Sequence, residues 1–298
     1  MISIDNLDLY LSFKTALKSS PTRETLHSLH PDYQKLVFQN SSSKKLNNHE
    51  LTILHLLCKT RNLDLFLSLF EKDPVFFQTL INHPNQIGWT PIYFSIKRND
   101  LAFVEALISR KAFLKPAKFA SPLILACQKG DRKLLDYILA EINEETLHYQ
   151  DIDGITALFM AIYVQKLDFL QLLIEKYGLK TRVFDKAGAS LLHWACSSEN
   201  LVIFRYLIEK ADLKDLINHH DHEGNTALHY LAQNCDKMEF YQEIINYGGD
   251  LNIKNKEGFI AEVVANESEN VFGKEILESL SGNKEKKPDN VKNWCLLL

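Results

Sequence analysis

The chain has 298 residues, of which 46% are hydrophobic and 24% charged, and its formal net charge is −4. Such a chain can bury a sizeable core, so disorder is not expected, and the weak net charge indicates no nucleic-acid partner. No apolar run approaches the roughly 20 residues that span a bilayer, and the start "MISIDNLDLY" resembles neither a secretory signal nor a myristoylation site. Five cysteines without paired spacing suit a reducing compartment, so we expect a soluble intracellular protein.

Residues 1–45 are predicted to form two or three short helices. They read "IDNLDLYLSFKTAL", "TRETLHSL" and "PDYQKLVFQ", and Ser19, Ser20, Pro21 and Pro31 separate them.

From residue 46 onward one phrase recurs, most clearly as "DIDGITALFMA" from Asp151, "DKAGASLLHWA" from Asp185 and "DHEGNTALHYL" from Asp221. The Thr or Ser that opens the inner part of the phrase returns every 31 to 38 residues, and Ile260 replaces it in a degenerate last copy. The six clear positions are Thr52, Thr90, Ser121, Thr156, Ser190 and Thr226. A fixed period of this length indicates a repeat array.

The residue types within the phrase predict a tight turn followed by two helices. Glycine lies two residues before the opening position, where a turn needs positive φ, at Gly88, Gly154, Gly188, Gly224 and Gly258. The Thr or Ser is suited to cap a helix, and Pro91 and Pro122 fit its first turn. A second apolar helix follows, as in "LAFVEALI" from Leu101 and "LVIFRYLI" from Leu201. One such pair buries its apolar faces only by stacking on its neighbours.

The period and the wording T-P-L-H-x-A resemble the ankyrin repeat. The legible copies read "TILHLL", "TPIYFS", "SPLILA", "TALFMA", "SLLHWA" and "TALHYL", with "IAEVVA" as an eroded seventh, and the resemblance covers residues 46–280. It implies an all-α solenoid of about six to seven helix-turn-helix repeats with hairpin loops. Residues 1–45 are then interpreted as an N-terminal helical cap, because terminal repeats need a polar outer face. A small recruiting module, such as an F-box-like segment, is the alternative.

The resemblance also implies a protein-binding face, made by the hairpin tips and the exposed side of each first helix. Trp89, Tyr163 and the apolar tips Ile87, Ile152 and Ile155 are expected anchors, the alternative being that they pack against neighbouring hairpins. The full predicted contact set is Gln86, Ile87, Trp89, Lys97, Arg98, Ile152, Asp153, Ile155, Tyr163, Lys186, His222, Glu223, Asn225, Gln233 and Asn234.

Three histidines, His55, His193 and His229, are the most tempting catalytic candidates. Cys58 and Cys196 each follow one of them by three residues, a spacing that resembles a thiol and base pair. By the ankyrin resemblance these histidines instead tie neighbouring hairpins together. We therefore interpret the cysteines, with Cys127 at the same position, as small buried packing residues.

The stretch "NHHDHEG" offers His219, His220, Asp221 and His222 as metal ligands. Side chains on one turn rarely converge on a four-coordinate zinc ion without a distant ligand, so an exposed hairpin tip is favoured. The sequence contains no phosphate loop, dinucleotide fingerprint, H-E-x-x-H or nucleophile elbow. We predict a non-enzymatic chain with no cofactor and no metal, an unrecognised enzyme being the alternative.

Residues 281–298 are predicted to be a flexible polar tail that ends in a lipidation box. Cys295 and three leucines match the C-terminal C-a-a-X box, and a final leucine favours geranylgeranyl. Basic residues in the tail could add attraction to anionic lipid, at Lys284, Lys286, Lys287 and Lys292. The alternative is a packed C-terminus on the last repeat.

Ankyrin repeats combined with a eukaryotic lipidation box resemble the type IV-secreted ankyrin effectors of intracellular bacteria. The expected function is an adaptor that captures a host protein on its concave face while prenylated Cys295 anchors it to the cytoplasmic face of host membranes. The expected partners are that host protein, a prenyltransferase and a membrane, and the chain is expected to be a monomer. A ubiquitin-ligase adaptor, a eukaryotic adaptor and a soluble cytoplasmic scaffold are the alternatives.

Overall fold

A computed structural model describes residues 51–117 and 120–282. The predictions for residues 1–45, for Cys295 and for the four tail lysines lie outside this range. The chain divides into two compact units, with the boundary between Ile152 and Asp153. The described residues are helical and contain no strand, only isolated bridges such as Phe184 with Ser190, so the all-α prediction is confirmed there.

The first unit contains three helix pairs with two additional short helices. Its helices are α1 Ile53–Thr60, α2 Leu63–Lys72, α3 Pro74–Ile81, α4 Pro91–Lys97, α5 Leu101–Ile108, α6 Pro122–Lys129, α7 Arg132–Glu141 and α8 Glu144–Leu147. The repeat pattern does not predict α3 and α8. The helix α3 begins at a proline behind Asp73, whose carboxylate accepts from Phe76 N at 3.0 Å, and it occupies the long interval between the first two copies.

The second unit contains four helix pairs. Its helices are α9 Ala157–Tyr163, α10 Leu167–Gln171, α11 Leu191–Ser197, α12 Leu201–Glu209, α13 Ala227–Asn234, α14 Met238–Asn246, α15 Ala261–Glu267 and α16 Val271–Leu280. A π-helical turn, Leu172–Lys176, continues α10, and Lys214–Leu216 form a 3₁₀ turn. The eroded seventh copy therefore still folds as a helix pair. Among the described helices, none is both long and apolar enough to cross a bilayer.

The Thr and Ser positions are the N-caps of the first helices, as predicted. At Thr52, Ser190 and Thr226 the cap forms a reciprocal box with the histidine three residues later. Thr90 and Thr156 have no such histidine, and their buried hydroxyls make no hydrogen bond, so the predicted side-chain caps are absent there. Ser121 caps its helix without a histidine, since its hydroxyl accepts from Ile124 N at 3.1 Å, so the histidine is required only for the reciprocal box.

The hairpin turns are built by one Asp or Asn side chain and one glycine. Asp221 Oδ1 accepts from Glu223 N at 2.9 Å and from Asn225 N at 2.8 Å, and Asn85, Asp185 and Asn255 bind their own turns in the same way. The glycine that follows has positive φ, for example +77° at Gly154. In these four hairpins the network lies within one repeat and uses no side chain of a neighbouring repeat.

Aromatic rings from the second helices fill the core between repeats. In the first unit Phe66 stacks on Phe103 with ring centroids 5.3 Å apart, and both are fully buried. In the second unit Phe204 packs edge-on against Phe240 at 5.1 Å. Burial of such a ring stabilises by about 2 kcal/mol, and these contacts join each repeat to the next.

Candidate functional site

The three candidate catalytic histidines connect neighbouring repeats. Their Nε2 atoms lie 3.0 Å from Trp89 O at His55, 3.1 Å from Asn225 O at His193, and 3.0 Å from Phe259 O at His229. A carbonyl only accepts, so Nε2 carries the proton and Nδ1 is the acceptor in the capping box. The structural interpretation of these histidines is confirmed by these contacts.

Burial keeps these imidazoles neutral. It lowers the pKa of His55 and of His193 to about 4, even though the carbonyl contact of each ring raises it. Burial also lowers the pKa of His229. A ring that is neutral, buried and bonded at both nitrogens is held for structure rather than for proton transfer.

The cysteines near these histidines are also packing residues. Cys58, Cys127 and Cys196 are fully buried, and burial raises the pKa of each thiol. A buried thiol of raised pKa is a poor nucleophile. The prediction that these cysteines occupy a packing position is therefore confirmed.

The "NHHDHEG" residues point in different directions. Asp221 is buried, accepts from its own turn and receives the Tyr230 hydroxyl at 2.9 Å, while His219 Nε2 lies 3.2 Å from Gly188 O. His220 and His222 are exposed. In the described part of the chain, no three His, Cys, Asp or Glu side chains converge in a way that could hold a metal ion.

In the first unit the predicted contact residues include Trp89 and the tip of its hairpin. Gln86 and Ile87 are exposed at the hairpin tip, as is Ile152 near the unit boundary. Trp89 itself is half-buried, and its ring stacks on Tyr93 with centroids 5.5 Å apart. Its packing on Tyr93 is observed, and its role as an anchor for a partner stays a prediction.

Four exposed cations line the C-terminal ends of the first helices in this unit. We call Lys59, Lys97, Arg98 and Lys129 the basic row. Lys97 Nζ lies 5.1 Å from the Trp89 ring, and Arg98 Nε donates to Lys59 O at 2.9 Å. Two of the four were predicted contacts. Lys59 and Lys129 were missed, although they follow their N-caps by the same seven or eight residues.

In the second unit the predicted hairpin residues form a backbone ladder. Lys186 N donates to Asp153 O at 2.8 Å, and Lys256 N donates to Glu223 O at 2.9 Å. Asn225 is half-buried, and its side-chain oxygen accepts from Asn255 Nδ2 at 2.9 Å. His222 remains exposed, although its backbone N–H donates to Ala187 O at 2.7 Å.

The remaining predicted contacts of the second unit lie on and beside the first helices. Tyr163, Gln233 and Asn234 are exposed at helix ends, and Ile155 is half-buried. Two aromatics on the same helices were missed, Trp194 and Tyr230. Each is half-buried and donates to the turn carboxylate of its own repeat, Trp194 Nε1 to Asp185 at 2.9 Å. An aromatic four residues after the N-cap is the signal that identifies them.

Comparison with known proteins decides what the repeats are. Residues 123–216 match the family model for three copies of the ankyrin repeat, and residues 223–256 match that for a single ankyrin repeat. Both stretches are ankyrin repeats. The predicted all-α ankyrin-repeat class is thereby confirmed, and ankyrin repeats are generally protein-binding modules without enzymatic activity.

Three curated proteins with different names have sequences similar to part of this chain. Inversin of Canis lupus familiaris is 26% identical over 155 residues, which are 50% of this chain and 14% of that protein. The nuclear factor NF-kappa-B p105 subunit of Gallus gallus is 26% identical over 184 residues, 60% of this chain and 18% of that protein. The probable 26S proteasome regulatory subunit p28 of Saccharomyces cerevisiae is 28% identical over 140 residues, 46% of this chain and 60% of that protein.

The chain spans about a seventh of the length of Inversin. Among solved structures, a chain from the Bd0816 predatory endopeptidase of Bdellovibrio bacteriovorus in complex with immunity protein Bd3460 has a TM-score of 0.55 and 26% identity. The match covers 66% of this chain and 99% of that chain.

Proposed function

We propose that this ankyrin-repeat protein is a non-enzymatic adaptor that holds a protein partner at a membrane surface through prenylated Cys295. The protein-binding part of this proposal is supported by the hydrogen bonds that the buried histidines and turn carboxylates form within the array. The histidines and turn carboxylates are used within the array, whereas the basic row and Tyr163 are exposed. Such residues at helix ends and tips are suited to contact a protein.

The membrane half rests on the sequence "CLLL", in which Cys295 is the acceptor thiol and Leu298 directs geranylgeranyl transfer. One prenyl chain alone gives reversible membrane binding. Lys284, Lys286, Lys287 and Lys292 strengthen it at an anionic cytoplasmic leaflet, although Glu285 and Asp289 offset part of their charge. Stable residence then also depends on the ankyrin partner.

We place this adaptor among effectors that bacteria deliver into a eukaryotic host, because the lipidation box is read by eukaryotic cytosolic prenyltransferases. In this proposal the protein localises to the cytoplasmic face of host membranes. A translocation reporter fused to the chain tests this. Its signal in host cells is compared between a bacterial strain with a type IV secretion system and a mutant of that strain without it. Signal in host cytosol that is independent of the secretion system would contradict it.

The anchor is tested by expressing the intact chain in a eukaryotic cell with clickable geranylgeranyl and farnesyl precursors. We expect geranylgeranyl label and membrane recovery for the unsubstituted chain, and loss of both in Cys295→Ser. Leu298→Ser is the matched control, because it keeps the thiol and exchanges the residue that selects the lipid. It should shift the label to farnesyl. A chain that takes neither label would overturn the anchor and leave a soluble ankyrin scaffold.

A further inference from the structure

The basic row differs from the corresponding positions in the second unit. Seven and eight residues after the N-cap, the first unit has Lys59, then Lys97 and Arg98, then Lys129. The second unit has Tyr163 and Val164, Ser197 and Ser198, Gln233 and Asn234, then Glu267 and Ser268 at those positions. The cations are therefore a property of one unit and not of the repeat.

The nearby carboxylates of Asp100 and Asp131 bind other groups and not the cations of the basic row. Asp100 caps α5 through Phe103 N at 3.2 Å and binds Arg61 Nε at 3.2 Å. Asp131 caps α7 through Leu134 N and accepts from Asn99 Nδ2 at 2.8 Å. Among the described residues, none of the four cations forms an ion pair with a carboxylate.

The row is also continuous in space. The helices α1, α4 and α6 pack side by side in that order. Arg98 reaches the last turn of α1, and the Asn99–Asp131 bond joins the next two turns. Neighbouring helix axes lie about 10 Å apart, so the cations recur at about that interval across three repeats.

We propose that the basic row binds an acidic protein segment in an extended, polyproline-II-like conformation with a carboxylate at every third residue. This rests on the proposed function as a protein-binding adaptor. Polyproline II has three residues per turn and rises about 3.1 Å per residue, so every third side chain faces the same way at about 9 Å intervals. That repeat matches the spacing of the cations.

Trp89, the aromatic residue beside the basic row, is not placed to insert into a membrane. Its ring lies flat on Tyr93 and beneath Lys97, and it does not protrude. Surfaces that bind anionic lipid combine cations with projecting apolar side chains that enter the bilayer. Evenly spaced cations above a covered ring are suited to an extended acidic segment whose carboxylates recur at the same interval.

The test uses the purified, unlipidated full chain and a fluorescent twelve-residue peptide of four Glu-Pro-Pro repeats. Anisotropy should show binding that weakens as salt rises. Neutralising the row with Lys59→Gln, Lys97→Gln and Lys129→Gln should weaken binding about tenfold. Arg98 is kept because its side chain supports Lys59. Lys210→Glu, at a helix end of the second unit, is the matched control and should bind as the unsubstituted chain does.

Two further peptides test the spacing and the charge. A peptide of the same composition with its glutamates consecutive should bind more weakly, and a Gln-Pro-Pro peptide should not bind. The proposal would be overturned if the triple variant bound the Glu-Pro-Pro peptide as tightly as the unsubstituted chain does. It would also be overturned if the unsubstituted chain did not bind that peptide. Binding to phosphatidylserine vesicles through the same lysines without peptide binding would also overturn it, in favour of a lipid surface.

Cross-linking in cells tests the proposed adaptor function separately from the basic row. If the triple variant and the unsubstituted chain cross-link the same cellular protein equally, the adaptor function stands and the basic row is not its site. If neither captures a protein and the peptide does not bind, both proposals fail.

Discussion

Each ankyrin histidine in this chain has one usable tautomer. In His193, Nδ1 accepts from Ser190 N at 3.1 Å, while Nε2 donates to the carbonyl of Asn225 in the next repeat. Protonating Nδ1 would place two N–H groups against each other in a site from which water is excluded. The histidine therefore joins the start of a helix to the next hairpin only while it is neutral.

This arrangement predicts stability that falls in mild acid. Burial lowers the pKa of His193 to about 4 from 6.5, so between these values the unfolded chain binds more protons than the folded chain. Stability from this group is complete above pH 6.5 and is lost as pH falls toward 4. Between pH 7 and 5 the loss is about 2 kcal/mol for one such histidine.

His193→Gln isolates this contribution. We expect the variant to be less stable at pH 7 by about 1–3 kcal/mol, because it loses an inter-repeat bond. Between pH 7 and 5 the variant should lose about 2 kcal/mol less unfolding free energy than the unsubstituted chain, because glutamine does not titrate. Urea unfolding at both pH values measures the two effects, and His55→Gln repeats the test in the first unit. An unchanged slope in both variants would contradict the assignment.

At the scale of the element, the hairpin glycines have two separate functions. All adopt positive φ, which side-chain-bearing residues rarely do. At Gly154 a Cβ atom would also lie 2.8 Å from the backbone of Asp185 in the next hairpin, whereas at Gly258 it would meet nothing within 4 Å. Close stacking of hairpins therefore requires glycine at Gly154 beyond the needs of its own turn.

Gly154→Ala and Gly258→Ala form a matched pair. Both variants should lose about 1 kcal/mol from the positive φ. Gly154→Ala should lose at least about 1 kcal/mol more, because the obstructing atoms are backbone and cannot rotate away. Thermal or urea unfolding of the two variants gives the difference directly. Equal losses would mean that the neighbouring hairpin moves aside at little cost.

At the scale of the whole molecule, the free cysteines report on the folded array. Cys58, Cys127, Cys196 and Cys235 are buried in the described residues, and burial raises the pKa of each thiol. A thiol reagent reaches them only when the surrounding repeats open. Their reactivity therefore measures opening rather than intrinsic thiol chemistry.

In Cys295→Ser these four are the remaining cysteines. At pH 8 we expect them to react with a chromogenic disulfide roughly a thousandfold more slowly than in denaturant. Stopped-flow absorbance with and without urea measures both rates. Cys235 should react first, since it follows the last residue of α13, whereas the other three cysteines lie within helices. Rapid reaction of all four in the absence of denaturant would contradict a packed array.

Much of the fold was predictable because ankyrin repeats are local. A glycine two residues before a capping Thr or Ser, followed by an apolar period, encodes turn and helix within one stretch of sequence, as in "DHEGNTALHYL". The histidine role was predictable for the same reason. The short helix α3 was not, because its Asp73–Pro74 start lies in a repeat interval that the shared phrase does not cover.

The sequence by itself determined the repeat, the helix starts, the turn glycines and the buried histidines, since each follows from residue type at a fixed spacing. Only the tertiary structure decided which surface residues stay available. Trp89 is half-buried on Tyr93, Asn225 is bonded to Asn255, and Lys59 joins Lys97 in one row. The last two outcomes depend on side chains from neighbouring repeats, which stacking brings together, whereas Trp89 and Tyr93 belong to the same repeat.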